Sequence, residues 1–427
     1  MKFVYLIFCV ILCGGWLFGA GFALYEHSAE ATGMGGAFAA TASDPGALFY
    51  NPAGIGFQKR SLYIETTAIG PRSTFRGSGA YPGDGTNERM SNQYFMPSNV
   101  SFVQPLDNRW TFGIGMFNPF GLGTQWEHPE TYSGRYLSTR ADIRGYNLAT
   151  AIAWRPLDNL SLSVGAHYLA ANLDLERYVG EINPYTQTEA NIGHVRMDAD
   201  RNGGYGYDAG ILYKFAPSWS TGLTYHSATK INFDGTAKMT QVMTGYADFD
   251  AEVASLFPAG NHPVKLTIKF PAMAFWGLAK TFGENLRVEF NVGWTGWSVY
   301  KNLDIAVQDI PALSSYRTTD WKDSWTFRLG GEYKLAGGSA LRAGMVYDRT
   351  PQPTWDMGPM LGDADREGLT LGYGVPIGSS MSFNAGYMYL KFKDRSTLNA
   401  ANPQMDGYDG TYKTHANLLG MSLTVNF

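Results

Sequence analysis

From about Ser61 to Phe427, apolar residues alternate with small or polar ones at a period of two, segment after segment. Leu160, Leu162, Val164, Ala166 and Tyr168 alternate with Ser161, Ser163, Gly165 and His167. Leu286, Val288, Phe290, Val292 and Trp294 alternate with Arg287, Glu289, Asn291 and Gly293, and the stretches from Tyr146, Leu341 and Met381 behave the same way. Each segment therefore has one greasy and one polar face. A soluble sandwich would bury the greasy faces in a core, whereas an outer-membrane barrel turns them to lipid and leaves the polar faces to a lumen. Tyr and Trp at the strand ends suit the interfacial belts of the second arrangement. So do 15% aromatic and only 16% charged residues, an odd balance for a soluble exported protein. No apolar run beyond the N-terminus approaches the ~20 residues of a spanning helix, so a membrane-spanning form must be a closed barrel, because lipid offers no partner to an open sheet edge.

Residues 1–19 read as a secretory signal peptide: Lys2, an apolar run from Phe3 to Phe18, then small residues at Gly19 and Ala20. Cys9 and Cys13 both lie inside it, which leaves the exported chain without thiols or disulfides. The chain carries 33 Lys+Arg against 37 Asp+Glu, a net charge of −4. That balance gives nucleic acid nothing to bind.

Tight-turn signals occur six times, at Pro105-Leu-Asp-Asn108, Pro156-Leu-Asp-Asn159, Ala216-Pro-Ser218, Phe282-Gly-Glu-Asn285, Leu335-Ala-Gly-Gly338 and Pro376-Ile-Gly-Ser379. Seven longer connections lie between them, near 73–92, 120–142, 179–195, 236–262, 301–320, 351–366 and 396–411. Either count gives fourteen strands, with the short turns facing the periplasm and the long loops the exterior. The last segment, Asn417 to Phe427, alternates and ends on an aromatic, resembling the signal read by the outer-membrane assembly machinery.

Residues 20–58 do not follow this pattern. Small residues dominate the middle (Ala29, Ala31, Gly33, Gly35, Gly36, Ala37, Ala39, Ala40, Ala42), which lets backbone pack closely inside an enclosing wall. Asp44-Pro45 signals the start of one short helix, and Pro52 stops it by pushing Asn51 out of the α region. The expected organisation is a signal peptide at 1–19, an N-terminal plug at 20–58 and a barrel at 59–427.

An ordered set of stretches then resembles the FadL family of outer-membrane transporters for long-chain fatty acids and aromatic hydrocarbons. The set runs from Ala20-Gly21-Phe22 and Asn51-Pro52-Ala53 through Asn118-Pro119-Phe120-Gly121-Leu122 with Trp126. It continues with Trp294-Thr-Gly-Trp297-Ser298, Trp321-Lys-Asp-Ser-Trp325, Arg328-Leu-Gly-Gly-Glu332-Tyr333 and Asp363-Ala-Asp365-Arg366. Gly362 departs from the family, which tends to have Pro there. The resemblance implies a fourteen-stranded barrel with an N-terminal hatch blocking its lumen, and gating residues at Ala20, Gly21, Phe22, Asn51, Pro52 and Ala53. It also implies an external groove, and sideways release through a gap beside a kinked third strand. The residues carry that last item in part, since Pro119, close to Gly121, donates no ladder hydrogen bond and pairing must bulge or fail there. A plain strand end at Pro119 reads equally well from the residues alone.

The connection from Gly235 to His262 carries Met239, Val242, Met243, Phe249, Val253, Leu256 and Phe257, with a short helix expected from Ala251 to Leu256. An apolar external loop with flexible Met side chains suits a groove for greasy ligands. Lumen-facing Arg287, Glu289, Arg328, Glu332, Lys334 and Arg342 are expected to form an ion-paired ladder between barrel and hatch. Among them Arg287, Arg328 and Arg342 are candidate contacts for a fatty acid carboxylate. The seven histidines show no metal-ligand spacing, and no Gly-x-Ser-x-Gly elbow occurs, so neither cofactor, metal nor enzymatic chemistry is expected. The expected function is passive uptake of hydrophobic compounds by a monomer in contact with outer-membrane lipids and lipopolysaccharide. The rivals are a porin for polar solutes and, behind it, a membrane hydrolase using His167 near Ser163 or His226 near Ser220.

Overall fold

A computed structural model of the protein describes residues 21–398 and 405–427. Residues 1–20, with the expected leader, both cysteines and Ala20, lie outside the described residues, as do 399–404 of the last external connection. The wall begins with β1 (Ser61–Gly77), β2 (Ser98–Pro105) and β3, which is in two pieces, Trp110–Phe117 and Gly121–Gln125. There follow β4 (Arg140–Leu157), β5 (Leu160–Asn183), β6 (Thr188–Ala216), β7 (Trp219–His226 and Thr229–Gln241) and β8 (Gly260–Phe270 and Met273–Phe282). The rest are β9 (Leu286–Thr295), β10 (Ser324–Lys334), β11 (Ala340–Asp348), β12 (Arg366–Ile377), β13 (Met381–Phe392) and β14 (Gly410–Asn426). Every neighbouring pair is antiparallel, and β1 closes the cylinder on β14 from Ser61↔Asn426 to Gly77↔Gly410. This is the fourteen-stranded all-β barrel that the turn count predicts.

Alternation sets which way each residue points. Val164, Leu369 and Leu371 stand outward, 69%, 67% and 66% exposed, while Glu289 and Asn291 turn inward at 0% and 3%. A one-residue slip of any strand would reverse both faces, so the need of the outer band for lipid fixes the register. At the short-turn rim Trp110 and Trp154 are ladder partners, their rings stacked 5.8 Å apart.

Two of the seven connections differ from expectation. Residues 179–195 are regular, with β5 and β6 paired up to Asn183↔Thr188 and joined by a four-residue turn. Similarly, 236–239 pairs with the start of β8 up to Met239↔Gly260, and 236–241 pairs with β6 on the other side. These extensions stand above the lipid, where both faces are wet, so the greasy alternation fades while the hydrogen-bond ladder continues.

Residues 21–57 fill the lumen and are almost entirely buried. They contain the expected short helix, Ala47–Tyr50, followed by extended Asn51 (φ −167°) and a 3₁₀ turn over Pro52–Phe57. They also hold a second helix, Ala29–Gly33, which the sequence reading, with its single helix after Asp44-Pro45, does not expect. Its cap is Ser28, whose Oγ accepts from Ala31 N at 3.1 Å. Five residues of Ala, Glu, Thr and Gly are too few to reveal a helical period.

Candidate functional site: a plugged lumen and a gap in its wall

The plug is held to the wall by its own backbone. The Glu289 carboxylate on β9 accepts from Ala40 N at 2.8 Å and from Thr41 Oγ1, and Asn291 Oδ1 accepts from Phe38 N and Ala39 N at 2.9 and 3.0 Å. Asn51 donates through Nδ2 to Ala39 O (2.8 Å) and to Ile211 O on β6 (2.9 Å), while its Oδ1 accepts from Ala53 N. Close approach needs bare backbone on the wall: a Cβ on Gly330 or Gly344 would overlap the Met34 main chain. Glu30 of the plug meets Arg287 (3.0 Å) and Arg342 (3.5 Å), both of which also grip Glu332 at 3.2 and 2.8 Å. Arg328 donates to Gly35 O and lies 4.6 Å from the centre of the Tyr25 ring. Lys334 is exposed and takes no part in this network.

The third strand is broken. Phe117 pairs with Asn147 and Gly121 with Arg144, so Asn118, Pro119 and Phe120 stand outside the ladder opposite only two β4 residues. On the other side, pairing with β2 ends at Val100↔Met116, because residues 95–97 turn away to β1, where Phe95 bonds Ile69 in both directions at 2.8 and 2.9 Å. The upper piece of β3 thus has a single strand neighbour. The sheet is rejoined above by Ser91 N to Gln125 O (2.7 Å) and the Met90↔Trp126 bridge. A window in the wall results. Asn118 frames its lower edge, accepting from Ser98 N and donating to Gly145 O.

The first described residues cover the window from inside. Leu24 N donates to Pro119 O and Gly121 N to Phe22 O, both at 2.9 Å, so this segment pairs with the unpaired stretch of β3. The Phe22 ring lies within 6.2 Å of five others: Phe120, Phe270, Trp297, Tyr300 and Trp321. Gly21 is fixed by Asp363 Oδ2 at 3.1 Å and by Arg366, which donates to its carbonyl at 2.6 Å.

A cavity of about 650 Å³ lies beside this region. Its lining includes Tyr25, Glu26, Arg328 and Asp348 around the plug, Asn118, Phe120 and Gly121 of the broken strand, and Tyr94, Met96 and Tyr146. Those last three are 70%, 59% and 40% exposed. A second cavity of about 90 Å³ lies against Phe22, Tyr300, Leu303 and Trp321. Arg317 borders it, held by Asp356 at 2.8 Å and Asp406 at 2.7 Å. Burial keeps the Asp356 carboxyl above its usual range even beside that guanidinium.

The structure thus gathers Gly21 and Phe22 with Asn118, Pro119, Phe120 and Gly121, and places Asn51, Pro52 and Ala53 at the plug's far anchor. It does not bring the loop residues to either cavity. Met239 faces the barrel interior, Phe249 and Val253 lie under the helix Ala247–Leu256, and the Phe257 ring covers Gly193. Met243 and Leu256 are exposed, and Val242 N bonds Ile192 O. The helix begins earlier than expected because Asp250 accepts from Thr244 and Gly245 and organises its first turn. Of the three arginines, only Arg328 lines the larger cavity; Arg287 and Arg342 are taken by carboxylates. Asp348 and Arg366, which also line it, go unmarked as site residues in the sequence, although the Asp363-Ala-Asp365-Arg366 stretch contains Arg366. His167 and His226 both bond Asp208, at 2.9 and 2.6 Å, and Ser220 Oγ bonds Ala40 O, so neither suggested serine–histidine pair forms.

A closed fourteen-stranded cylinder with lipid-facing apolar side chains and a lumen filled by residues 21–57 defines a plugged outer-membrane barrel. The chain belongs to the family described as outer membrane protein transport protein (OMPP1/FadL/TodX), which matches residues 11–427. It is 25% identical to the long-chain fatty acid transport protein of Escherichia coli O6:H1, over 93% of this chain and 94% of that one. It is likewise 25% identical to outer membrane protein P1 of Haemophilus influenzae, over 78% and 75%. Among solved structures, a Pseudomonas aeruginosa FadL homologue shares the fold with a TM-score of 0.82 at 21% identity, covering 96% of this chain and all of that one. The Pseudomonas putida toluene transporter TodX follows at 0.71 and 17%, over 96% and 99%. The protein is an integral outer-membrane β-barrel transporter, not an enzyme.

Proposed function

We propose that this protein carries hydrophobic compounds, long-chain fatty acids or aliphatic and aromatic hydrocarbons, passively across the outer membrane. The plug gates the route, and the cargo leaves sideways into lipid through the window in β3. The observation that carries this reading is the single cavity reaching from the plug past Asn118 and Gly121 to exposed Tyr94 and Met96. Its walls favour apolar cargo, since each methylene withdrawn from water is worth about 0.8 kcal/mol. Arg328 is the cation placed to meet a carboxylate, the two other candidates being engaged with Glu30 and Glu332. The Gly21-Phe22 segment is the movable part, because it rests on the window through a few hydrogen bonds and one aromatic cluster. The protein works as a monomer among outer-membrane lipids and lipopolysaccharide, and its final strand addresses it to the assembly machinery.

Deleting residues 20–52 tests the gate. Uptake of a hydrophobic solute should be lost or lose its selectivity; unchanged, still selective uptake would refute the role. A porin for polar solutes would instead conduct ions steadily in a planar bilayer, where this plugged barrel should be almost silent.

A further inference from the structure

The outer wall above the lipid carries a feature that cargo transport does not use. On β7 and β8 the inward residues Ile231, Phe233, Leu266 and Ile268 are buried, so Lys230, Asn232, Asp234, Lys265, Thr267 and Lys269 face outward. Three cross-strand pairs climb this face. Highest is Asp234↔Lys265, with its charges 3.6 Å apart, and below it Thr267 Oγ1 donates to Asn232 at 2.9 Å. Lowest is Lys230↔Lys269, two exposed cations on directly opposed residues, neither of which is ion-paired among the described residues. Like charges facing each other across a ladder oppose folding unless an anion lies between them. Immediately beneath, the outward face becomes aromatic and apolar: Tyr207 and Tyr225 rings 6.0 Å apart, then Leu223 beside Trp276. The lysine pair therefore stands at the height of the headgroups, just above the belt that marks the outer edge of the hydrocarbon.

We propose that Lys230 and Lys269 form a clamp for a phosphate of the outer-leaflet glycolipid, its acyl chains lying down the face of Tyr207, Tyr225, Leu223 and Trp276. Charge complementarity carries the headgroup and the apolar strip below carries the chains. The clamp rests on the membrane orientation given above and not on the transport route.

The full-length protein in detergent micelles, titrated with bis-phosphorylated lipid A and followed by native mass spectrometry, tests it. Wild type should hold the lipid roughly tenfold or more tightly than the Lys230→Gln/Lys269→Gln double variant. Lys265→Gln, which removes the cation already matched by Asp234, should bind like wild type. Dephosphorylated lipid A should not distinguish wild type from the double variant, and inorganic phosphate at the lipid's concentration should not displace it. Equal binding of phosphorylated lipid A by wild type and double variant, an equal effect of Lys265→Gln, or displacement by inorganic phosphate would each overturn the clamp. Heat-modified gel mobility checks that the variants fold. Uptake of a hydrophobic solute by the double variant should match wild type, so a failed clamp leaves the transport reading untouched, and the reverse.

Discussion

The Phe22 ring lies 4.5 Å from that of Trp297, tilted by 69°. One is near the amino end of the chain and the other follows the ninth strand, so the contact ties the stopper to the wall at the height of the window. Phe22→Ala removes the hub of five ring contacts and leaves a void beside Trp297 and Trp321. Loss of a buried phenyl ring costs about 3 to 5 kcal/mol, more than two hydrogen bonds to β3 recover. The segment from Phe22 to Leu24 should come away from β3, with Gly21 still held by Asp363 and Arg366, while the barrel stays folded. Limited proteolysis followed by mass spectrometry should show new cleavage there, with unchanged heat-modified mobility.

Glu332 is 3% exposed and receives both Arg287 and Arg342. Glu332→Gln strands two buried guanidinium groups against the single remaining carboxylate of Glu30. Breaking a buried pair from one side costs about 3 to 5 kcal/mol. The unfolding temperature in micelles should fall clearly, whereas Lys334→Gln, outside the network, should leave it unchanged.

Asn51→Ala takes the donor from Ala39 O and Ile211 O together. Each buried acceptor left alone costs about 1 to 3 kcal/mol. Since the lost bonds join plug to β6, the plug should loosen before the wall does, and steady ion conductance in a planar bilayer should rise from near zero.

His262 stands above the lipid, its Nδ1 on Asp309 at 2.9 Å and its Nε2 on Pro258 O at 2.8 Å. The Asp309 carboxylate, helped by that carbonyl, raises the imidazole above its ordinary value. A raised folded-state value stabilises this loop fully below the unfolded histidine's pKa, near 6.5. The effect is lost as pH climbs through the folded value. Hydrogen exchange over 242–262 should therefore be slower at mildly acidic pH than at mildly alkaline pH, and Asp309→Asn should flatten the difference.

The barrel could be read from the sequence because its two determinants are local. A period of two gives the faces, and Pro-x-Asp-Asn or Gly-Gly turns give the count. The plug could be read from small residues around Met34, which the bare backbone of Gly330 and Gly344 now explains. The window was half legible: Pro119 marks where β3 fails, but nothing near it says that residues 95–97 will leave β2 for β1. The cavity was least legible, since only barrel closure brings Ile69, Leu390 and Leu418 to one side of a space whose other wall is Phe120. The apolar loop at 239–257 is hard to read for a related reason: Met239, Phe249 and Val253 are buried and Phe257 lies on β6, while Met243 and Leu256 are exposed, and composition cannot say which side chain of a greasy loop is covered.

Restoring the broken strand tests the central claim most directly. Replacing Asn118-Pro119-Phe120 with the two residues Thr-Val removes the extra residue opposite Gly145 and Tyr146 and supplies the missing N–H, so β3 can pair with β4 without a break. Uptake of a radiolabelled hydrophobic solute by cells carrying equal amounts of folded barrel is then measured. Exit through the wall predicts that uptake falls to the level of cells lacking the protein. Undiminished uptake would show that the cargo passes the plug along the barrel axis, and would contradict the account.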